Sequence, residues 1–211
     1  FFSLFCIQEK LKGDTVERGK VNMWDIDKEQ LKKIMQRAGE LLAKMHTIPV
    51  AGFGSLNEHG KAKHDSFVGK LAGGPERIER FMNLSEVWGI PKNQMERALR
   101  LLQERALKFK NIKPTFNHGD FAPKHIMYEG NEVTGIIDFG DIESNAPIFD
   151  FVRWEYWYGN NELLKWLKEG YPDKSVFDES YEEQSNLIQL NMALGSIWHY
   201  HSRQKYEKGV K

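Results

Sequence analysis

The residues with the clearest chemical potential lie in two short segments in the second half of the chain. Residues 118–125 read HGDFAPKH and residues 135–141 read GIIDFGD. Asp120 and Asp138 each fall where an apolar strand pattern meets a loop, on either side of a predicted hairpin. Such a hairpin brings both carboxylates and His125 to the same end of a small sheet. Together they can hold a divalent cation, or one can act as a base beside a cation held by the others.

The elements that must position these residues are mostly helices. Residues 27–47 carry apolar side chains at three- and four-residue spacing, and Asp27 with Gln30 resembles a capping box. Pro75 and Pro91 each predict the start of another helix, because the first helical position does not need an N–H donor. Residues 147–166 and 178–203 are expected to form two further helices, and residues 50–74 are expected to be mostly irregular.

Short apolar bursts separated by turns distinguish residues 114–150 from the rest. The bursts at 126–128 and 133–137 flank a Gly-containing turn at 129–131, which predicts a hairpin, and 115–117 predicts another short strand. The fold class that follows is mainly α with a small β-hairpin.

Composition excludes several classes of protein. The 211 residues carry 30 basic and 30 acidic side chains, and this zero balance argues against binding to nucleic acid or to anionic membranes. The single Cys6 excludes an internal disulfide framework. Apolar runs are shorter than the roughly 18 residues of a membrane helix. We therefore expect a cytoplasmic protein.

The two segments together resemble the catalytic core of the aminoglycoside phosphotransferase family. The shared pattern is H-G-D followed four residues later by Asn or His, then an apolar strand, then I-D-F-G-D. Residues 37–56 are similar to the family's first C-lobe helix and its G-F-G turn, and residues 146–150 to its segment after the second motif. The resemblance implies a protein-kinase-like fold, of which this chain would be the C-terminal lobe.

The resemblance also implies a role for each residue of the motifs. Asp120 would accept or orient the proton of an attacking hydroxyl, and Asp138 would bind Mg²⁺ at the nucleotide phosphates. His125 stands where most members have a metal-binding Asn, so Mn²⁺ is an alternative metal. His118 would brace the loop by hydrogen bonds, and Asp141 would support the metal site from outside.

Nucleotide binding would begin at the N-terminal end of the chain. The resemblance divides the chain into a remnant strand and hinge at residues 1–13 and a helical C-lobe at residues 14–211. The hinge backbone would contact the purine of ATP or GTP through Gln8, Glu9, Lys10 and Leu11. Since a glycine-rich phosphate loop and its lysine are not found in the sequence, we expect this chain alone to be nearly inactive. We also expect dimerisation through the exposed hinge strand.

The acceptor would be a small molecule with a hydroxyl group, and an aminoglycoside or another antibiotic is the leading candidate. Choline, methylthioribose, fructosamine and homoserine are alternatives within the family. Five residues after the second motif could line the acceptor pocket, although aromatic residues at this density also suit a core: Asp150, Trp154, Glu155, Trp157 and Tyr158.

Two other classes of function stay open at this stage. A pseudokinase-like binding module would keep the fold without catalysis. A metal-dependent phosphatase would use His118, Asp120, His125 and Asp138 as ligands, although two-metal sites normally need more of them.

Overall fold

The computed structural model describes residues 10–17 and 25–209. Helices dominate, and the bounds of those in the described part are α1 Lys28–His46, α2 Phe67–Ala72, α3 Pro75–Val87, α4 Lys92–Ala106, α5 Phe149–Tyr158, α6 Glu162–Gly170 and α7 Tyr181–Gly209. The strands are short, with bounds β1 Asp14–Thr15, β2 Phe53–Leu56, β3 Ala62–His64, β4 Thr115–Asn117, β5 Ile126–Glu129, β6 Glu132–Ile136 and β7 Glu143–Asn145. None of the described helices is long and apolar enough to cross a membrane.

Two small antiparallel sheets carry the two chemical segments. One has the order β1-β5-β6, and the other has the order β3-β2-β7-β4. The predicted hairpin is β5-β6, in which Ile126 pairs with Ile136. Residues 118–125 leave β4 and lead into β5, while residues 138–142 connect β6 to β7. The candidate site therefore lies where the two sheets meet.

Helix α1 begins at the predicted cap. Asp27 accepts hydrogen bonds from the backbone N–H groups of Glu29 and Gln30, at 3.1 and 3.0 Å. Such a cap stabilises a helix by about 1 kcal/mol. The other half of the predicted capping box is wrong, because the Gln30 side chain donates instead to the carbonyl of Gly130, at 2.6 Å. That bond ties the start of α1 to the β5-β6 turn.

Helices α1 and α6 approach each other closely through two glycines. A Cβ atom at Gly39 would fall far inside van der Waals contact with the carbonyl oxygen of Leu167. A Cβ atom at Gly170 would collide in the same way with the carbonyl oxygen of Gln36. Backbone therefore packs on backbone at this crossing, which lies beneath the candidate site.

The apolar core has two clusters. One joins α1, α5 and α6 beneath the β5-β6 hairpin, and the other joins α2, α3, α4 and α7. Fully buried members of the first include Leu31, Ile34, Leu42, Phe151 and Trp154, and the second includes Phe67, Leu71, Leu102 and Ile148. Burial of each Leu or Phe stabilises the fold by about 1.5–3 kcal/mol.

The structure corrects the expectation that residues 50–74 are mostly irregular. They contain β2, β3 and α2, and Ser66 caps α2 by accepting a hydrogen bond from the Gly69 N–H at 3.0 Å. Gly52 and Gly54 have positive φ angles of 76° and 108°. These bends break the strand alternation, so the sequence pattern looked irregular.

Other helix boundaries also differ from expectation. Pro75 opens α3 as predicted, but Pro91 precedes α4 as its N-cap residue. The helix expected over residues 147–166 is divided at Gly159, whose φ of 76° suits glycine at a helix end. Of the expected hinge, residues 1–9 lie outside the described part. Lys10 and Leu11 are described and are not in a strand.

Candidate active site

A buried carboxylate holds the first chemical segment in place. Asp150, on the first turn of α5, is fully buried and accepts hydrogen bonds from the backbone N–H groups of His118 and Gly119, at 3.0 and 2.9 Å. His46, at the end of α1, approaches the same carboxylate through Nε2 at 3.1 Å. Asp150 therefore fixes the loop from below, because a carboxylate is the strongest acceptor available to backbone donors.

Asp150 sets which nitrogen of the His46 ring carries the proton, because a carboxylate can only accept and Nε2 must therefore donate to it. The Tyr171 hydroxyl lies 3.0 Å from His46 Nδ1. Burial raises the pKa of Tyr171 to about 12, so its hydroxyl keeps its proton at neutral pH and can donate it to Nδ1.

His118 joins the two chemical segments. Its Nε2 lies 3.0 Å from the carbonyl oxygen of Ile137, and its Nδ1 lies 3.2 Å from the backbone N–H of Asp120. A carbonyl can only accept and an N–H can only donate, so the neutral ring with its proton on Nε2 satisfies both contacts. Burial lowers the pKa of His118, which favours that neutral form.

Asp120 is held as a carboxylate at the edge of the loop. Its side chain is about a quarter exposed, with Arg153 Nη2 at 3.2 Å and Lys124 Nζ at 3.3 Å. Burial alone would raise the pKa of Asp120, but the charges and hydrogen bonds of Arg153 and Lys124 outweigh burial and hold the pKa below its ordinary value. The group is therefore ionised at neutral pH.

His125 and Asp138 form a pair suited to a cation. His125 Nδ1 lies 2.8 Å from the carbonyl oxygen of Asp120 and must donate to it, which leaves the Nε2 lone pair available to a cation when the ring is neutral. Nε2 lies 3.2 Å from Asp138 Oδ2. Adjacent ligands on an octahedral Mg²⁺ at about 2.1 Å would be separated by about 3.0 Å. The pair therefore has nearly the spacing of two neighbouring ligands.

The backbone of Asp138 adopts a conformation that non-glycine residues seldom occupy. Its φ and ψ are 66° and 62°, and it is the only non-glycine residue with positive φ in the described ranges. Such a conformation costs about 1–3 kcal/mol and is typical of functional positions. It turns the exposed carboxylate toward His125. No group of three or more His, Cys, Asp or Glu side chains suited to a metal exists among the described residues.

A cleft of about 480 Å³ opens beside this pair of segments. Arg153 lines it and also bridges Asp120 to Asp141, whose Oδ2 lies 3.5 Å from Arg153 Nη2. Trp157 and Tyr200 supply exposed aromatic surface to the walls. Arg153 and Asp141 therefore connect this cleft to the ionised Asp120.

A profile of the phosphotransferase enzyme family (APH) matches residues 2–173 of the chain. The chain belongs to this family. That match covers both chemical segments and the helix α1 that supports them. A comparison with curated protein sequences found no match to the chain.

Solved phosphotransferase structures share the fold at low sequence identity. A thermostable mutant of aminoglycoside phosphotransferase APH(4)-Ia, in ternary complex with AMP-PNP and hygromycin B, superposes with a TM-score of 0.64 at 12% identity, covering 94% of this chain. The gentamicin complex of APH(2")-IIa gives 0.61 at 16% identity and 96% coverage, and the GDP complex of aminoglycoside 2'-phosphotransferase-IIIa gives 0.60 at 14% and 94%. The fold is therefore protein-kinase-like.

The chain spans only part of these phosphotransferases. It covers 65% of the APH(4)-Ia chain, 67% of the APH(2")-IIa chain and 63% of the 2'-phosphotransferase-IIIa chain.

The structure separates the five residues that were expected to line the acceptor pocket. Asp150 and Trp154 are buried at 0% and 1% exposure, so neither can line an acceptor pocket. The Glu155 side chain is only 12% exposed and is occupied by Lys168, Tyr181 and Ser185 within the fold.

The two remaining acceptor candidates lie nearer the surface. Tyr158 is half-buried and packs against Trp154, with ring centroids 5.6 Å apart. Trp157 is 53% exposed and lines the cleft. Trp157 therefore lines the cleft, whereas Tyr158 lies close enough to Lys124, Asp120 and Arg153 for their charges to act on the pKa of its hydroxyl.

Sequence reasoning missed the cations around Asp120. Arg153 lies on the same face of α5 as Asp150 and Trp157, at three- and four-residue spacing, and it is the basic residue of an otherwise aromatic and acidic helix. That pattern could have identified Arg153 as a candidate site residue. Lys124 lies four residues after Asp120, but no local signal shows that its side chain turns back to the carboxylate.

Proposed function

We propose that this protein transfers a phosphoryl group from a nucleoside triphosphate to a hydroxyl group of a small molecule. The observation that supports it most is the placement of ionised Asp120 beside the His125–Asp138 pair, with His125 Nδ1 3.7 Å from the Asp120 carboxylate and His118 hydrogen-bonded to both segments. Membership of the phosphotransferase family supports the same reaction.

Asp120 would orient the acceptor hydroxyl and take up its proton. The acceptor oxygen forms a bond to the γ-phosphorus as the bond to the β-phosphate bridging oxygen breaks, and the nucleoside diphosphate leaves with that electron pair. Little proton transfer is needed early in such a reaction, so a carboxylate with a low pKa is adequate as an orienting group. Arg153 and Lys124 keep Asp120 in one position, and positioning supplies most of the catalysis.

Asp138 and His125 would hold a divalent cation. Mg²⁺ is commonly bound by one or two protein ligands together with substrate phosphates, and two protein ligands are what this pair offers. Mn²⁺ is the alternative metal, since an imidazole nitrogen is a poorer ligand for Mg²⁺ than an oxygen atom. The cation would neutralise charge on the transferred phosphoryl group. Asp141 would keep Arg153 beside this site.

We propose ATP or GTP as the phosphoryl donor. Solved neighbours hold AMP-PNP in one case and GDP in another. Leu11 packs over β6 at Gly135, where a Cβ atom would lie 2.5 Å from Leu11 Cδ1, so the chain near Lys10 runs beside the hairpin. This agrees with purine contacts from the hinge backbone at residues 8–11, of which Gln8 and Glu9 lie outside the described part.

The division into a hinge remnant at residues 1–13 and a C-lobe at residues 14–211 belongs to the same proposal. It leads us to expect weak nucleotide binding and little turnover from this chain alone. Dimerisation through the hinge strand also remains a proposal, as does the choice of an aminoglycoside over the other acceptors.

Calorimetric titration of MgATP and MgGTP into the 211-residue chain tests the nucleotide and cation assignments. We expect binding of one nucleotide that Asp138→Asn weakens at least tenfold. The exposed Asp65→Asn variant serves as a control that leaves binding unchanged. Undiminished binding in both Asp138→Asn and His125→Ala would contradict the cation site.

A turnover assay with a panel of small hydroxyl compounds, run at an enzyme concentration high enough to detect the little turnover expected of this chain, tests the reaction itself. Asp120→Asn should reduce kcat by about 10²–10⁴-fold while nucleotide binding is retained. Full turnover by this variant would refute the role of Asp120. Release of phosphate from a simple phosphomonoester without nucleotide would instead support the phosphatase alternative.

A further inference from the structure

A second cleft, of about 660 Å³, is strongly basic. It adjoins the cleft of about 480 Å³ that Arg153 and Trp157 line, which we call the acceptor cleft. The two share Lys70, Asn191 and Gly195 in their walls. The basic residues that line the second cleft, which we call the basic cleft, come from β3, α2 and α3, with Glu76 as the one acidic residue in its wall. They are the four cations Lys63, Lys70, Arg77 and Arg80, together with His64. In a chain of zero net charge, this concentration requires an explanation.

Hydrogen bonds hold the Arg77 side chain of the basic cleft in one position. Arg77 donates through Nη1 to the carbonyl oxygens of Lys70 and Leu71, at 3.1 and 2.7 Å, and through Nη2 to Asn191 Oδ1, at 2.8 Å. All three acceptors are uncharged. Burial together with the neighbouring charge of Arg80 lowers the pKa of Arg77, as expected of a cation without a counter-ion.

The outer cations of the basic cleft also lack acidic partners. Within residues 10–17 and 25–204, no carboxylate lies within ion-pair distance of Lys63 or Arg80. The Arg80 guanidinium instead lies over the ring of Trp198, 4.9 Å from its centroid. Burial lowers the pKa of His64, and the charges of Lys63, Lys70 and Arg77 lower it further. Positive charge from three elements therefore converges on one space.

In the acceptor cleft, by contrast, each of the two lining carboxylates already faces a cation. Its carboxylate from Glu143 pairs with Lys70 at 2.7 Å, in a contact that is largely shielded from solvent. Its other carboxylate, from Asp141, faces Arg153 at 3.5 Å. A polycationic acceptor would have to compete with Lys70 for Glu143 and with Arg153 for Asp141, and it would also meet the charges of the basic cleft. Like charges at this range oppose binding.

We infer that the acceptor carries an anionic group, such as a carboxylate, sulfate or phosphate, which binds in the basic cleft while the acceptor hydroxyl lies beside Asp120. This inference rests on the proposed function. Lys70 stands in the wall shared by the two clefts, so it would contact the middle of such a molecule. Trp157 and Tyr200 would pack against its apolar part. Guanidinium groups bind these anions well because they donate two hydrogen bonds in one plane.

Titration with inorganic phosphate, in the presence of a chelator and without nucleotide, tests the basic cleft directly. Trp198 lies under Arg80, so its fluorescence reports occupancy. We expect saturable binding in wild type that weakens at least tenfold in the double variant Lys63→Glu/Arg80→Glu. The matched charge reversal Lys33→Glu/Arg97→Glu, at exposed positions elsewhere, should bind like wild type. Absence of saturable binding, or equal loss in both double variants, overturns the inference.

Turnover with paired acceptors separates this inference from the proposed function. A sugar and its corresponding sugar acid differ only in the anionic group, and we expect the acid to be the better acceptor by KM. Lys63→Glu/Arg80→Glu should erase that preference, whereas Asp120→Asn should remove turnover of both acceptors and leave phosphate binding intact. Normal turnover by Asp120→Asn would refute the proposed function. Turnover that favours a polycation such as gentamicin would refute the inference alone.

Discussion

Replacing Asp150 with asparagine removes the charge that holds the candidate catalytic loop while leaving the side chain the same size. The carboxylate accepts the N–H of Gly119 on Oδ1 and the N–H of His118 on Oδ2, and His46 shares Oδ2. An amide has only one oxygen. Whichever way it turns, its NH₂ group must face a backbone N–H that then has no acceptor.

The cost follows from these contacts. One buried N–H left without a partner costs about 1–3 kcal/mol, and the remaining hydrogen bonds lose the extra strength that a charged acceptor provides. The sum is about 3–4 kcal/mol, close to the about 3–5 kcal/mol typical of breaking a buried charged pair. Since small domains are stable by about 5–15 kcal/mol, Asp150→Asn should lose a large fraction of the total.

Urea unfolding, followed by circular dichroism, measures this loss as a lower midpoint at unchanged slope. The exposed Asp65→Asn variant is the matched control and should change stability by less than about 0.5 kcal/mol. A loss below about 1 kcal/mol for Asp150→Asn would show that the loop does not depend on this carboxylate.

Three further predictions concern the site. Chelation should remove any nucleotide-dependent activity, and Asp138→Asn should weaken Mn²⁺ binding at least about tenfold in electron paramagnetic resonance titrations. Arg153→Gln should raise the pKa of Asp120 in a carboxyl NMR titration. The depressed pKa of Asp120 stabilises the fold at pH values above the pKa of the unfolded carboxyl, and this stability is lost as the pH falls through the folded pKa. The variant should therefore lose less stability than wild type when the pH is lowered. Gly119→Ala should lower the free energy of unfolding by more than about 3 kcal/mol in a thermal melt, because φ is 80° and the added Cβ would strike a backbone carbonyl. The control Gly60→Ala, where φ is 71° and the surrounding space is open, should lower it by about 1 kcal/mol.

Local signals in the sequence account for the elements that were predicted correctly. Helix α1 has a cap at Asp27 and a clear apolar period, and the β5-β6 hairpin has a short Gly-containing turn. In contrast, β2 pairs with β7 through residues about ninety positions apart, as between Gly54 and Ser144. Strands of three or four residues have too few positions for alternation to show, so their partners decide where they form.

In the candidate site, too, local sequence signals predict some positions, while contacts between distant residues determine others. Convergence of Asp120 and Asp138 follows from the hairpin between them. The position of Arg153 depends on how α5 packs over the loop, which no local pattern specifies. Asp150 was expected at the acceptor because it follows the second motif, where the family resemblance implies the substrate pocket. Its burial depends on donors more than thirty residues away, so sequence reasoning misplaced it.

The contact between Gly39 and Gly170 predicts where homologous chains can vary. Because main chain rests on main chain there, neither position can accept even a methyl group without separating α1 from α6. His46 lies at the end of α1 and reaches Asp150 directly. In a library that samples every substitution, these two glycines should therefore be as intolerant as Asp120. The walls of the two clefts should diversify freely as acceptors change over evolutionary time.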